Sequence, residues 1–487
     1  MTFNGTVPGP LIIADWGDSL VIHVTNNMKS NGTSVHWHGI RMLNNTQNDG
    51  VPGISQCPIA PGETYTYKFK ATQYGTTWYH SHFSLQYAEG LWGPMILRGP
   101  ATANYDEDLG TLVLQDWPHA PIFGAWSNKQ AWGITHELDN LLINGTNTFD
   151  CSGVPDSGCV GGGKKFEVVF QPDTKYLIRV FNVAIDSYFH FSIDGHTLKV
   201  IAADFVPIEP YETDSIMIGS GQRYDVIVEA NATAGDYWLR GGWVPAHTCK
   251  GVANSNPDGM TGIIRYDRKL MGVSDPTSTS TVEPPKACLD EPRHSLVPYV
   301  KRNAGTVVGT TVEDINVRFT HAGMFKWTIN SSSLEIDWTE PTLKTVDDTS
   351  IFPPGYNVLP LDRTTDAVID QWVILIIENA AVALYGGHKW DGKTDIFQME
   401  NPPRRDTAML PAHGYLAVAI QLDNPGAWLV HCHIAWHGSM GLALQVLESA
   451  ELITVGGTER NILDETCSTW SNWWNGISPW PKEDSGI

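Results

Sequence analysis

Apolar and polar residues alternate in three widely separated parts of the chain, and all three parts share one layout. In each part a glycine precedes an alternating strand, a second glycine marks a turn, and an aromatic strand follows. The paired segments are 62–69 with 75–80, 221–228 with 235–240, and 414–420 with 426–431. A period of two is typical of half-buried strands, and repeats this far apart indicate whole domains. The pattern predicts an all-β protein of three Greek-key β-sandwich domains.

A chain of 487 residues is expected to divide into several domains, because single hydrophobic cores rarely grow to this size. We expect a first domain at residues 1–102, a second at 103–270 and a third at 301–487. The stretch 271–300 is expected to be a linker, since it contains a Ser-, Thr- and Pro-rich segment at 274–285. Copies one and three of the repeat end in histidine, whereas copy two ends in Leu-Arg. The second domain is therefore predicted to hold no metal and to be a spacer or a substrate wall.

The net charge of −22 argues against nucleic acid or an anionic membrane surface as a partner. No apolar run reaches the length of a transmembrane helix. Charged residues make up only 17%, while the chain has 46 Gly, 30 Pro and 19 Trp. This balance is typical of strands joined by turns, so composition supports the all-β prediction.

The cysteine content indicates an oxidising compartment. Seven cysteines are an odd number, and if Cys432 binds a metal, six remain for three disulfides. Cys151 and Cys159 bracket a short Gly/Ser/Pro loop and are expected to pair. Polar residues follow Met1, so no signal peptide begins there, and we expect a mature or N-terminally incomplete form of a secreted protein. Six glycosylation sequons agree with secretion: Asn4, Asn31, Asn44, Asn144, Asn231 and Asn330.

The stretch His431-Cys432-His433-Ile434-Ala435-Trp436-His437 follows a predicted buried strand and suggests metal binding. Side chains alternate along a strand, so His431 and His433 are expected on one face and Cys432 on the other. A thiolate suits a soft metal such as copper, and two imidazoles suit a second metal centre. One covalent path would then join both centres, as electron transfer between them requires. The alternative is a buried cysteine between two incidental histidines.

Two more His-x-His pairs lie in the first predicted domain, at His36/His38 and His80/His82. In each pair the period of two places both imidazoles on one face. A single pair of this kind is more often structural than functional. Together with the pair near the C-terminus, however, they supply six imidazoles, which can surround a small metal cluster.

Two carboxylates are candidates for proton transfer, and each has a structural alternative. Asp49, which precedes a glycine, is expected either to shape a turn or to relay protons near the cluster. Asp204 interrupts an apolar strand, where we favour a cap or turn over the acceptance of a phenolic proton. The histidines outside the paired motifs in the second domain, His190, His196 and His247, are expected to be structural or surface residues.

The sequence resembles the multicopper oxidases, specifically the laccases of ascomycete fungi, over nearly its whole length. The most specific matches are His36-Trp37-His38-Gly39, Trp78-Tyr79-His80-Ser81-His82-Phe83 and the stretch from His431 to His437. Further matches lie at 221–225, 401–407, 423–428 and 484–487. The resemblance implies three cupredoxin-like domains, a mononuclear type 1 copper, and a trinuclear cluster between domains one and three.

By this resemblance, Cys432 and His437 are type 1 ligands, and Leu442 stands at the axial position, where a non-coordinating residue favours a high reduction potential. His36 resembles the type 2 ligand. The implied type 3 ligands are His38, His80, His82, His431 and His433.

The resemblance also extends to the covalent links and the C-terminus. It implies that Cys57 pairs with Cys467 and Cys249 with Cys288. The ending Asp-Ser-Gly-Ile is similar to the plug that enters the solvent tunnel in ascomycete laccases. Trp436 is expected either to line the substrate site or to pack the sandwich.

One motif of the family is missing. The motif His-Pro-x-His-Leu-His-Gly-His is expected early in the third domain, but the run from Glu378 to Trp390 contains only His388. His388 aligns with the last, usually non-ligating, position. The motif supplies one ligand each to the type 1, type 2 and type 3 sites, so three of ten expected imidazoles are absent. The family strand that normally precedes Asn4 is absent too. We therefore expect weak copper binding at the sulfur site, loss of a copper held by His36 alone, and a collapse of turnover.

The leading hypothesis is a laccase that takes single electrons from phenols at His437 and reduces dioxygen to water. Its substrates would be lignin phenols, pigment precursors or defence compounds. The alternative is a catalytically inactive secreted protein that binds copper partially. A metallo-oxidase acting on ferrous iron or ascorbate fits less well, because His437 has apolar neighbours in the sequence. We expect a monomer.

Overall fold

The computed structural model describes most of the chain. The described residues are 1–124, 126, 137–152, 159–244, 249, 253–256, 259–319, 324–346, 352–362, 371–379, 390–395, 397–411, 414–476 and 484–487. Two histidines discussed above, His247 and His388, lie outside these residues. Within the described ranges, no helix is both long enough and apolar enough to cross a membrane.

The N-terminal sandwich places two histidine-bearing strands side by side. Its strands are β1 (Ile12–Asp15), β2 (Ser19–Thr25), β3 (His36–Trp37), β4 (Thr64–Lys70), β5 (Gly75–His80) and β6 (Trp92–Arg98). One sheet has the order β1-β6-β5-β3, and β2 and β4 form a second sheet. Alternating side chains of β4, among them Tyr65 and Tyr67, pack between the two sheets. The register of β3 on β5 sets His36 opposite His80.

Among the described residues, the middle sandwich has the largest continuous core. Its strands are β7 (Glu107–Trp117), β8 (Asn140–Ile143), β9 (Thr148–Phe149), β10 (Gly162–Gly163), β11 (Glu167–Val169), β12 (Lys175–Asn182), β13 (Phe189–Ile193), β14 (Leu198–Ala203), β15 (Val206–Thr213), β16 (Ile216–Ile218), β17 (Arg223–Glu229), β18 (Asp236–Trp243) and β19 (Thr261–Arg265). A six-stranded sheet, β15-β14-β17-β12-β7-β8, faces a five-stranded sheet, β11-β19-β18-β13-β16. Buried side chains from both sheets meet between them, such as Tyr224 from β17 and Phe189 from β13.

The C-terminal sandwich ends one of its strands at the predicted metal motif. Its strands are β20 (Thr306–Phe319), β21 (Phe325–Ile329), β22 (Val358–Leu361), β23 (Gln371–Glu378), β24 (Tyr415–Gln421), β25 (Gly426–His431) and β26 (Ala443–Glu448). The sheets have the orders β21-β20-β23-β24 and β22-β26-β25. The helices are α1 (Ala435–Ser439) and α2 (Gly457–Gly476).

Single 3-10 turns occur in several parts of the described chain. They lie at Thr46–Asn48, Arg268–Leu270, Thr342–Lys344, Pro354–Tyr356 and Ala450–Leu452.

Buried aromatic side chains join the three sandwiches. Trp78 and Trp92 of the first sandwich meet Phe181 of the middle one and Trp436 of the third in one apolar cluster. The three tryptophans are fully buried, and clusters of this kind stabilise a fold through the apolar area they remove from water. Of the two expectations for Trp436, packing is the one that the structure shows.

All six strands predicted from the repeat are present; β5 and β25 have the predicted bounds, and the ends of the other four differ by one to three residues. The three predicted disulfides are confirmed: Cys57–Cys467, Cys151–Cys159 and Cys249–Cys288. Helix α2 was not predicted, yet its buried residues Leu463, Cys467 and Trp470 follow helical spacing. The domain boundaries at 102, 270 and 300 stay a prediction.

Candidate metal centres

The side chain of Cys432 contacts different residues from those contacted by the side chains of its two histidine neighbours. Its Sγ atom is 3.4 Å from Nδ1 of His437, and its side chain packs against the core of the third sandwich. The ring centroid of His431 instead lies 5.0 Å from that of His82. The ring centroid of His433 lies 5.0 Å from that of His38. One backbone segment therefore separates a sulfur site from a cluster of histidines, although β25 ends at His431 and both Cys432 and His433 lie beyond it.

The histidine cluster is shared by the first and third sandwiches. The ring of His36 lies 5.4 Å from the ring of His80 and 5.4 Å from that of His82. The candidate ligand atoms of His36, His38 and His80 all lie within 4.8 Å of one another. The cluster brings together all six imidazoles predicted from the paired motifs: His36, His38, His80, His82, His431 and His433.

Gly221 of the middle sandwich allows the backbone to approach this cluster closely. Its φ of +84° lies in the left-handed region that favours glycine. A Cβ atom there would lie 3.0 Å from Cδ2 of His433 and 3.1 Å from Cε1 of His38. Both the turn and the close approach of the backbone to the two imidazoles therefore favour glycine at this position.

Three buried imidazole nitrogens in the cluster have no hydrogen-bond partner among the described residues. They are Nε2 of His80, Nδ1 of His82 and Nε2 of His433. Burial and the neighbouring imidazoles hold the pKa of all three side chains well below its ordinary value. Burial also lowers the pKa of His431 to about 4. Neutral imidazoles with unused lone pairs are copper ligands, so the cluster fits this metal.

Several outer nitrogens are held by backbone oxygens. Nδ1 of His36 lies 2.8 Å from the carbonyl oxygen of Asp49, and Nδ1 of His80 lies 2.9 Å from that of Ser81. Nδ1 of His431 lies 3.1 Å from the carbonyl oxygen of Cys432. A carbonyl only accepts, so each of these contacts holds a proton on Nδ1 and leaves the lone pair on Nε2 for a metal.

Asp49 lies beside the cluster, as the expected role in proton relay requires. Its carboxylate is 3.4 Å from Nδ1 of His36. Burial lowers the pKa of His36, but the Asp49 carboxylate and its hydrogen bonds outweigh burial and raise the pKa above its ordinary value. The geometry is compatible with proton relay, which stays a prediction.

Ser220 was missed by sequence reasoning, because the middle domain was expected to be a spacer. Its hydroxyl donates to the carbonyl oxygen of Ala184 at 2.7 Å and lies 3.1 Å from Nδ1 of His433. Since its single proton goes to Ala184, the hydroxyl accepts from Nδ1–H of His433. The middle sandwich therefore orients one imidazole of the cluster.

Asp406 and Thr407 were also missed as individual site residues. The Thr407 hydroxyl lies 3.3 Å from Nε2 of His38, and the Asp406 carboxylate lies 3.6 Å from the same nitrogen. The buried Arg223 guanidinium, which contacts Asp406 directly, holds the pKa of that carboxyl well below its usual range despite burial. Both residues belong to segment 401–407, which the sequence analysis noted only as a match to the family.

The sulfur site has apolar and aromatic surroundings. The rings of His437 and Trp327 lie 4.5 Å apart, and His437 itself is half-buried. The backbone N–H of Cys432 donates to the carbonyl of Leu442 at 3.0 Å, and the N–H of Leu442 donates to the carbonyl of His437 at 2.9 Å. Leu442 therefore lies beside the motif, and its expected axial position stays a prediction.

Asp204 lies in a buried ion-pair network. Its side chain is 1% exposed, and Oδ2 accepts a hydrogen bond of 3.0 Å from Nε of Arg405. Oδ1 accepts from the backbone N–H of Arg223 at 3.0 Å. Because its oxygens face arginine donors, the structural alternative fits Asp204 better than acceptance of a phenolic proton.

The C-terminal residues reach the cluster. Ile487 lines one cavity together with His80, His82, His431 and His433. The hydroxyl of Ser485 donates to the carbonyl of Gly438 at 2.9 Å, and Asp484 contacts the hydroxyl of Ser84. This placement is the one implied for a C-terminal plug. The role of a plug stays a prediction. His190 and His196 pack within the middle sandwich.

Comparison with known proteins defines the class. Family models described as multicopper oxidase match residues 1–102, 108–269 and 335–451. Laccase-2 of Botryotinia fuckeliana is 53% identical over all of this chain and 85% of its own length. The laccase of Botrytis aclada is 51% identical, with a TM-score of 0.93 over all of this chain and 90% of that structure. Fet3p, a multicopper oxidase that functions in iron import, is 25% identical with a TM-score of 0.80 over 96% of this chain and 90% of that structure.

The chain belongs to the multicopper oxidase family. Within that family it is laccase-like, and copper is its cofactor. The predicted family, the all-β fold of three cupredoxin-like domains and the copper prediction are thereby confirmed.

The comparison also bears on the missing motif. The match to Laccase-2 spans 506 aligned positions, whereas this chain has 487 residues. The difference leaves at least 19 positions at which the relative has residues that this chain lacks. Such a deficit is large enough to include the absent histidine motif.

Proposed function

We propose that this chain oxidises phenols one electron at a time at His437 and reduces dioxygen to water at the histidine cluster. The observation that carries the proposal is the division at Cys432, whose sulfur meets His437 while both neighbours join the cluster. Bound copper would supply the one-electron chemistry at the sulfur and the oxygen chemistry at the imidazoles. The peptide units on either side of Cys432 give the shortest covalent path between the two sites.

The surrounding residues have separate tasks in this proposal. Cys432 and His437 hold the first metal, and the half-buried imidazole of His437 receives the substrate electron. Asp49 keeps a proton on Nδ1 of His36 and is placed to supply protons to the cluster. Ile487 lines the cavity beside the imidazoles.

The proposed turnover is far slower than that of a laccase with a complete ligand set. The sequence from Glu378 to Trp390 offers one histidine where the family motif offers several. We also propose that the protein is secreted and monomeric. Three disulfides support an oxidising compartment.

Copper-loaded protein tests the proposal. We expect a visible thiolate-to-copper charge-transfer band, together with slow oxygen consumption that depends on added 2,6-dimethoxyphenol. A Cys432→Ser variant should lose both, because serine cannot donate a thiolate. Copper-loaded parent protein without the charge-transfer band would rule out the laccase mechanism for this chain.

Copper binding without turnover is the second candidate function. The lack of the fourth motif between Glu378 and Trp390 favours it. In that case copper would be retained while phenol-dependent oxygen consumption stayed at the level of the Cys432→Ser variant.

A further inference from the structure

Asp290 lies in the segment that connects the middle and third sandwiches, and the residues near it are anchored to the middle sandwich. Two positions before it, Cys288 forms a disulfide with Cys249, which lies between β18 and β19. The next residue, Glu291, accepts two hydrogen bonds from the middle sandwich, both of 3.0 Å. The backbone on both sides of Asp290 is therefore held in place on the middle sandwich.

The Asp290 carboxylate reaches across to the third sandwich. Its Oδ2 accepts the backbone N–H of Met409 at 2.9 Å, and its Oδ1 accepts a hydrogen bond of 2.5 Å from Nε2 of Gln222. Gln222 is fully buried, and the same Nε2 also donates to the carbonyl oxygen of Thr407 at 3.2 Å. Both carboxylate oxygens therefore face N–H groups, which cannot accept, and one side chain bridges the two sandwiches.

Both sides of this bridge contact imidazoles of the histidine cluster. On the third sandwich, the Thr407 hydroxyl lies 3.3 Å from Nε2 of His38. On the middle sandwich, the Ser220 hydroxyl, two residues before the bridging glutamine, lies 3.1 Å from Nδ1 of His433. The rings of these two histidines, which come from different domains, are 5.0 Å apart. The relative position of the two supporting hydroxyls therefore determines how the two imidazoles face each other.

We propose that Asp290 is a positioning residue of the histidine cluster, which holds the supports of His38 and His433 at a fixed separation. It acts through Gln222 and Thr407. Outer partners that fix the tautomer and orientation of a ligating imidazole contribute to metal affinity, and Asp290 fixes two such partners relative to each other. The inference rests on the assignment of the cluster in the proposed function, but not on phenol oxidation.

The variant Asp290→Asn breaks the bridge with little change of shape. The asparagine oxygen can accept only one of the two N–H groups, and its NH2 is turned towards the other. Gln222 cannot compensate by rotating its own amide, because its Oε1 already accepts the backbone N–H of Gly219 at 2.9 Å. Asp290→Ser, which removes both contacts without placing a donor against Gln222, replaces the asparagine variant if that variant does not fold.

Glu291→Gln is the matched control, because it removes the same charge from the adjacent residue. The glutamine oxygen can accept the backbone N–H of Met217, and its NH2 can donate to the Tyr211 hydroxyl. Both contacts lie within the middle sandwich, so this variant leaves the bridge to the third sandwich intact.

Hydrogen exchange in the metal-free, full-length protein measures the bridge without copper. In Asp290→Asn, backbone exchange in 405–409 and exchange of Cε1–H in His38 and His433 should rise by roughly fivefold, as the net contribution of one hydrogen bond implies. Glu291→Gln should keep the parent rates, as should the exposed His23 in every variant. Unchanged rates at His38 and His433 in Asp290→Asn would overturn the proposal. A rise spread evenly over the chain would do the same, because it indicates general destabilisation.

Copper affinity is the second readout. Chelator competition is carried out in the Cys432→Ser background, which lacks the thiolate of the sulfur site and so reports the cluster. Asp290→Asn should weaken copper binding by about tenfold, at the lower end of the range for outer partners of metal ligands. Glu291→Gln should bind copper as tightly as its parent. Equal losses in the two variants would show a general effect of charge or stability and would contradict positioning by Asp290.

The result can be separated from that of the proposed function. A parent protein that binds no copper, or that binds it without oxidising phenols, would contradict the proposed function alone, because hydrogen exchange still decides the role of Asp290. Phenol oxidation by the parent, together with imidazole exchange that does not respond to Asp290→Asn, would contradict the positioning role alone.

Discussion

Ser220 shows at the scale of one residue how the middle sandwich, itself without a metal motif, contacts the histidine cluster. Its hydroxyl joins the carbonyl of Ala184 to Nδ1 of His433. Ala184 belongs to a loop anchored by the buried Asp116 carboxylate, which accepts the backbone N–H groups of Ile185, Asp186 and Ser187. The orientation of one imidazole thus depends on a chain of hydrogen bonds that begins in another domain.

Substituting Ser220 with alanine should weaken copper binding more than it weakens the fold. Without the hydroxyl, Nδ1–H of His433 loses its acceptor and the ring loses its fixed tautomer, a loss that typically costs about 10- to 100-fold in metal affinity. Chelator competition on the copper-loaded protein measures the affinity, and thermal melting of the metal-free protein measures the fold. Ser220→Thr keeps the hydroxyl and should restore most of the affinity. Equal affinities for Ser220→Ala and the parent would show that this contact does not orient His433.

At the scale of elements, strand alternation was sufficient to predict the main chemistry. It predicted that Cys432 would face away from His431 and His433 and that each His-x-His pair would share one face. The prediction of a common cluster holds although β3, β5 and β25 end at Trp37, His80 and His431, before the second histidine of each pair. The contacts that complete the site could not be predicted in this way. Thr407 reaches His38 across 369 residues, and Ser220 reaches His433 across 213, so both contacts exist only after separate domains have packed together.

Helix α2 was overlooked for a related reason. Its apolar positions have helical spacing, but they lie among polar and tryptophan residues that do not form a strong stripe. Its position depends on long-range links: Cys467 forms a disulfide with Cys57, and Trp470 packs in the cluster that contains Phe83 and Trp338. An element held mainly by distant contacts is difficult to identify from local sequence.

Removing the Cys57–Cys467 disulfide should destabilise the protein far more than removing Cys151–Cys159. The first link spans 410 residues and the second spans 8, and a crosslink restricts the unfolded chain more when it closes a longer loop. Replacing both Cys57 and Cys467 with alanine should lower the free energy of unfolding by about 2–5 kcal/mol. The double alanine variant of Cys151 and Cys159 is the matched control. Urea denaturation followed by tryptophan fluorescence provides the measurement, and equal losses in the two variants would contradict the loop argument.

At the scale of the whole molecule, one buried arginine links all three sandwiches. The Arg223 side chain is fully buried, and its Nε donates to the carbonyl of Thr76 in the first sandwich at 3.1 Å. Its guanidinium donates to Asp406 of the third sandwich at 2.6 Å and lies 3.4 Å from Asp204 of the middle one. Buried charges are tolerated only when they are paired, so this network favours one docking arrangement. The same arrangement brings the histidine motifs of the first and third sandwiches together.

Stability of the whole molecule should also respond to mild acid through two histidines away from the metal sites, the half-buried His190 and the buried His196. Burial lowers the pKa of His190, and it lowers the pKa of His196 despite the opposing effect of Asp194. In the unfolded chain such imidazoles titrate near about 6.5. Just below that pH the unfolded state binds more protons than the native state, so stability decreases as the pH falls. The contribution is complete above the unfolded pKa and is lost as the pH falls towards the native value.

The variant His190→Gln should flatten this acid dependence, because glutamine does not titrate. In metal-free protein, the free energy of unfolding measured by urea denaturation between pH 7.5 and pH 5.5 should fall less steeply in the variant, by at most about 1.4 kcal/mol per pH unit. The net charge of −22 acts in the opposite sense, since acid neutralises carboxylates and relieves their repulsion. This effect and the titration of the cluster imidazoles are common to parent and variant, so the difference between the two slopes reports His190 alone. His23→Gln, on the exposed face of β2, should keep the parent slope. If His190→Gln keeps it as well, burial of His190 does not contribute to acid sensitivity.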